Sequence, residues 1–176
     1  MVGTQLANTA GWAAVAIFSA FAIWFDLRAR RVPNWLVLAG LALAAALIGL
    51  GPVRALAVDW RDALLGGAIG FAVYLPLYAM RWMGAGDVKF FAVAGLMCGW
   101  HGLLPVWVVG SVLAGLHALL ILMARRVDAA SPAAWLLMRA CPPLARWDGA
   151  QAGRRDIPYA AYMAVGLLCL PWWTYR

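Results

Sequence analysis

Apolar stretches long enough to cross a bilayer recur along the whole of this 176-residue sequence and leave little room for anything else. A membrane-crossing helix needs about 20 predominantly apolar residues, and such runs fall near 9–25, 34–51, 62–80, 88–100, 104–124 and 157–175. Hydrophobic residues make up 66% of the chain and charged ones 12%, against roughly half and a quarter in an ordinary soluble domain. A soluble fold is excluded. The sequence predicts an all-α polytopic membrane protein, residues 1–176 forming one integral-membrane domain with six transmembrane helices.

The fourth and fifth runs are continuous over 88–124, nearly twice one crossing, and GWHGLLP at 99–105 places two glycines and a proline inside them. The expected split is there. Orientation follows from charges not used to find the spans, because cytoplasmic loops carry the Lys and Arg excess. With the N-terminus outside, Arg28, Arg30, Arg31, Arg81, Lys89, Arg125, Arg126, Arg139, Arg146, Arg154 and Arg155 are cytoplasmic, and only Arg54, Arg61 and Arg176 lie opposite. The net charge of +7 thus points to anionic lipid rather than nucleic acid. In the cytoplasmic loop 125–156, Ser131 and Pro132 are placed to start a surface helix carrying Trp135, Leu136, Leu137 and Met138. Cys98, Cys141 and Cys169 lack CxxC spacing and read as small hydrophobes. The glycines of GGAIG at 66–70 read as a close-packing surface. No basic residue precedes the first run, so it is expected to remain as a span rather than be cleaved.

All seven acidic residues are Asp, and a carboxylate in or beside a membrane span is costly enough to need a reason. Asp59 and Asp62, beside Arg54 and Arg61, read as a charge-balanced outer loop. Asp128, Asp148 and Asp156 have Arg neighbours in the long cytoplasmic loop. Asp26 and Asp87 differ: the first directly follows the apolar run ending AIWF and the second directly precedes VKFFAVAG, so the topology brings both to the cytoplasmic boundary. Two carboxylates held close cannot both ionise, and one then serves as base and the other as acid toward a water molecule. Gly84 and Gly86, around Ala85, leave backbone open to an extended substrate. No metal or other cofactor is required. The competing assignment is neutralisation of Arg28, Arg30, Arg81 and Lys89.

FDLRARRVPNWL at 25–36 resembles the first aspartate motif of type IV prepilin peptidases, and GAGDVKFFA at 84–92 resembles their GxGD motif with its following lysine. IPYAAYMAVG at 157–166 is similar to the family's last-span segment. The resemblance covers nearly the full chain. It implies a GxGD aspartic endopeptidase in the inner membrane that removes the short basic leader of prepilin or pseudopilin precursors at the cytoplasmic face, after a Gly. Asp26 and Asp87 would be catalytic, while Gly84, Gly86, Lys89, Arg28, Arg31, Asn34 and Tyr159 would bind substrate or support the site. The compact size resembles the peptidases of Flp/Tad-type pilus systems. With eight residues before the first span and no paired cysteines, N-methylation is not expected. An archaeal preflagellin-type peptidase would share the chemistry. The rival from another class is a small transporter or channel component using the two aspartates as ion or proton carriers, which calls for polar groups within the spans; in sequence these look nearly free of them. His101 and His117 read as structural.

Overall fold

A computed structural model describes residues 2–49, 58–126 and 158–174, and among them it is helical throughout, apart from short turns. The helices are α1 (Val2–Ala29), α2 (Asn34–Gly49), α3 (Trp60–Ala79), α4 (Ala85–Arg126) and α5 (Tyr159–Thr174). Thr9–Ala29, Trp60–Ala79 and Ala85–Met123 are long and apolar enough to cross a membrane. The remaining two, Asn34–Gly49 and Tyr159–Pro171, are shorter apolar helices; at 1.5 Å per residue the first is about 24 Å long. The surface helix at 131–138, Cys141, Asp128, Asp148, Asp156 and most of the loop 125–156 lie outside the described residues.

Helix ends depart from the apolar runs in ways that matter for the site. Instead of stopping at 25, α1 continues through Asp26 and Arg28, because Asp and Arg do not break a helix that packing supports. It ends where Arg30 turns left-handed at φ 50° and Pro33 forbids a further turn. Pro33 then accepts from the Leu36 N–H at 3.0 Å, opening α2 at Asn34. Asp59 is not in a free loop: it sits at the N-cap of α3, with Asp62 in the first turn, where a negative charge suits the helix dipole. The long run breaks at one residue, Gly99, with φ 69° and ψ 176°. An L side chain pays for that conformation; Gly102 and Pro105, by contrast, remain helical. The first arm of α4, 85–98, spans roughly 21 Å.

α4 is central, packing against α3, α5 and α2, while α1 lies on α5 and α2. α3 and the first arm of α4 cross at bare backbone: a Cβ on Gly66 would overlap the Gly95 carbonyl, and one on Gly95 the Gly66 carbonyl. Phe18 of α1 stacks on Phe90 at 5.8 Å, and Val15, Leu36, Val93, Met163 and Leu167 complete the core. Outward faces carry Phe21, Leu65, Val112 and Leu119, all exposed, as expected of helices in lipid.

Near the Gly99 break, the start of α3 approaches through Val58 and Asp62. The opposite end gathers the end of α1, the start of α2, the end of α3 and the starts of α4 and α5. Gly86 lies against Val32, Lys89 reaches Asn34, and Asp26 reaches Ala161.

Candidate active site

The first turn of a helix has backbone N–H groups without intrahelical acceptors. At the start of α5, Pro158 precedes Tyr159 and its carbonyl accepts from the Tyr162 N–H at 3.4 Å, leaving the N–H groups of Ala160 and Ala161 directed out of the helix end. Asp26 fills that position: its Oδ2 accepts the Ala161 N–H at 2.8 Å, and the Ala160 N–H also donates to the carboxylate. Asp26 is 5% exposed and, with Ser19, makes up the buried polar or charged side chains of the described core. Its position is fixed by two helices far apart in sequence.

Asp87 lies in the first turn of α4, with its N–H donating to the Gly84 carbonyl at 3.2 Å. A Cβ on Gly84 would come within 3.3 Å of Asp87 Oδ2, and one on Gly86 within 3.3 Å of the Val32 nitrogen. Gly86 therefore seats the α4 start against the turn that leaves α1, six residues beyond Asp26, while Gly84 lies under the Asp87 carboxylate. Lys89 Nζ donates to Asn34 Oδ1 at 2.8 Å, tying the same two segments at the surface.

Of the expected supporting residues, Gly84, Gly86, Lys89, Asn34 and Tyr159 belong to this assembly. Arg28 does not approach Asp26: it is exposed, with its guanidinium 5.4 Å from the Trp24 ring centroid. Arg31 is also exposed. The cation whose charge bears on Asp26 is Arg30, which also lies within electrostatic reach of His117 and Tyr162.

Three residues of the site, Tyr74, Ser111 and Tyr162, were not singled out by sequence, and a fourth, His117, was read as structural. Tyr74 of α3 donates to the Tyr159 hydroxyl at 3.2 Å, and Tyr159 pairs with Ser111 Oγ at 2.7 Å. Tyr162, one residue beyond Ala161, hydrogen-bonds His117 Nδ1. The impression of spans nearly free of polar groups is thus corrected: hydroxyl, imidazole and carboxyl groups line the interior next to Asp26. A signal existed, since a His in an apolar run is itself expensive, and Tyr159 and Tyr162 at i, i+3 share a helix face. Tyr74 and Ser111, the partners of Tyr159 at 85 and 48 positions away, carry no local mark.

The model of the type IV leader peptidase family matches residues 13–119, a stretch that includes Asp26, Tyr74, Asp87, Ser111 and His117. The chain is also similar to a prepilin leader peptidase/N-methyltransferase of Xanthomonas campestris pv. campestris, with 31% identity over 117 residues, covering 61% of this chain and 38% of that protein. It therefore spans about two fifths of the length of the curated relative it matches. No solved structure matches the chain.

Proposed function

The chain belongs to the type IV leader peptidase family, and from that premise we propose that it is a membrane-embedded aspartic endopeptidase whose catalytic pair is Asp26 and Asp87. The supporting observation is the seating of both residues at one end of the helix bundle, Asp26 on the N-terminus of α5 and Asp87 in an α4 turn pressed against the segment that follows Asp26. One carboxylate takes a proton from water as the oxygen attacks the scissile carbonyl. The other, protonated, hydrogen-bonds to that carbonyl oxygen and later protonates the leaving amine. Binding and cleavage thereby fall to side chains of this chain.

The substrate in this reading is a prepilin-like precursor, of the Flp type, in which a short basic leader ending in Gly precedes an apolar helix. A site at a helix-bundle end suits cleavage at that junction. Arg28, Arg30, Arg31, Arg81 and Lys89 cluster in sequence around the same helix ends, which supports a cytoplasmic location, an external N-terminus and six crossings of the inner membrane, with the two arms of α4 as separate crossings.

Co-expression with a Flp-type precursor, followed by gel shift, tests the reading. Wild type converts precursor to the shorter product, whereas Asp26→Asn and Asp87→Asn accumulate uncleaved precursor while still inserting. Full processing by either variant removes the pair. A chelator leaves cleavage by purified protein unchanged; inhibition reversed by added metal would point to other chemistry.

A further inference from the structure

Three hydroxyl groups from three helices meet beside the turn that holds Asp26. The Tyr159 hydroxyl, on the first residue of α5, accepts from Tyr74 of α3 at 3.2 Å and pairs with Ser111 of the second arm of α4 at 2.7 Å. Tyr74 is 1% exposed, and its ring stacks on Phe91 with centroids 4.4 Å apart. Phe91 stands four residues after Asp87, one turn along the same helix face, and Tyr74 lies within electrostatic reach of Asp87. On the other side of Tyr159, the next two residues supply the N–H groups that bind Asp26. The chain of contacts thus runs from the Asp87 helix through Tyr74 and Tyr159 to Asp26.

We propose that Tyr159 is a positioning residue: its hydroxyl, clamped between Tyr74 and Ser111, fixes the first turn of α5 so that Ala160 and Ala161 hold Asp26 in register with Asp87. The proposal rests on the reading of the two aspartates as the catalytic pair. A hydrogen-bonded pair of acid and base must be placed to within a fraction of an ångström, and small misplacements cost rate rather than binding. Ordinary helix packing by the same hydroxyls would lower stability and leave turnover per folded molecule intact.

The test uses the purified full chain in detergent micelles with a synthetic precursor peptide carrying a basic leader, a Gly junction and an apolar helix. Tyr159→Phe lowers kcat on the order of tenfold with KM within about twofold of wild type. Tyr74→Phe combined with Tyr159→Phe is no slower than Tyr159→Phe alone, because the contacts form one chain. Tyr78→Phe, an exposed tyrosine one turn along α3, leaves kcat unchanged. Carboxyl ¹³C NMR of the same samples needs no substrate: the Asp26 Cγ resonance, assigned by its loss in Asp26→Asn, moves in Tyr159→Phe and stays in place in Tyr78→Phe. Wild-type kcat in Tyr159→Phe, a loss confined to KM, or an unmoved Asp26 resonance overturns the proposal. Activity retained in Asp26→Asn or Asp87→Asn overturns the catalytic pair instead, so the two failures are read in different variants.

Discussion

The Asp26 carboxylate accepts the Ala161 backbone N–H at 2.8 Å across 135 positions of sequence, joining the last turn of α1 to the first turn of α5. The contact is structural as well as chemical, because it supplies acceptors for N–H groups that the helix itself cannot satisfy. Asp26→Asn keeps an oxygen acceptor there, whereas Asp26→Ala leaves the Ala161 N–H buried without one, at a cost of about 1–3 kcal/mol. Both variants are expected to be inactive, but Asp26→Ala unfolds at a lower temperature than Asp26→Asn in a thermal scan followed by circular dichroism. Equal midpoints would mean that the helix end does not depend on the carboxyl oxygen.

Much of the architecture is legible from local composition, because each apolar run satisfies its backbone only as a helix. The break in the long run was also readable, though its location narrows from seven residues to Gly99. What local pattern does not carry is where a helix ends when packing outweighs polarity. Asp26 and Arg28 looked like loop residues because they are charged, yet α1 runs through both and stops at the left-handed Arg30. Within the site, Asp26 and Asp87 stood out because carboxylates are rare here. Tyr74, Ser111 and Tyr162 did not, and His117 read as structural, since their roles arise from contacts between helices rather than from spacing along one of them. For the same reason Arg28 and Arg30, equivalent as charges in a list, are not equivalent in space.

The α3–α4 crossing makes a second prediction. A Cβ on Gly66 would stand 2.6 Å from the Gly99 carbonyl carbon and 2.8 Å from the Trp100 nitrogen, besides overlapping the Gly95 carbonyl. These are backbone atoms and cannot step aside as a side chain would. Gly66→Ala forces the two helices apart and destabilises by roughly 1–3 kcal/mol or more. Gly115, on the second arm of α4, has nothing within 4 Å of an added Cβ, so Gly115→Ala is neutral or gains up to about 1 kcal/mol from helix propensity. Thermal unfolding of the two variants side by side decides this, and equal midpoints would refute the close crossing.

The proposed orientation predicts that a reporter fused near residue 55 reads as external and one near residue 145 as cytoplasmic. Both positions lie outside the described residues, so the prediction rests on the distribution of Arg and Lys. With α3 and the two arms of α4 each crossing once, three crossings separate the two reporters and place them on opposite sides. Reporters reading on the same side would mean an even number of crossings between them, as when α4 crosses once as a single span.

Arg30 allows stability and function to be separated at one position. Its φ of 50° is a conformation that costs an L residue about 1–2 kcal/mol and glycine almost nothing. Yet its charge is the one that bears on Asp26, while Arg28 stacks outward over Trp24. If the charge serves the site, Arg30→Gly raises the unfolding midpoint by relieving the backbone and still lowers kcat/KM, by roughly three- to fivefold for the loss of one partly screened charge. Arg30→Gln shows the same kinetic loss without the gain in stability. Arg28→Gln, which alters a charge of the same sign two residues away, stays close to wild type in both measurements. Wild-type kinetics in Arg30→Gly would show that the left-handed turn, and not the guanidinium, is what the site takes from this residue.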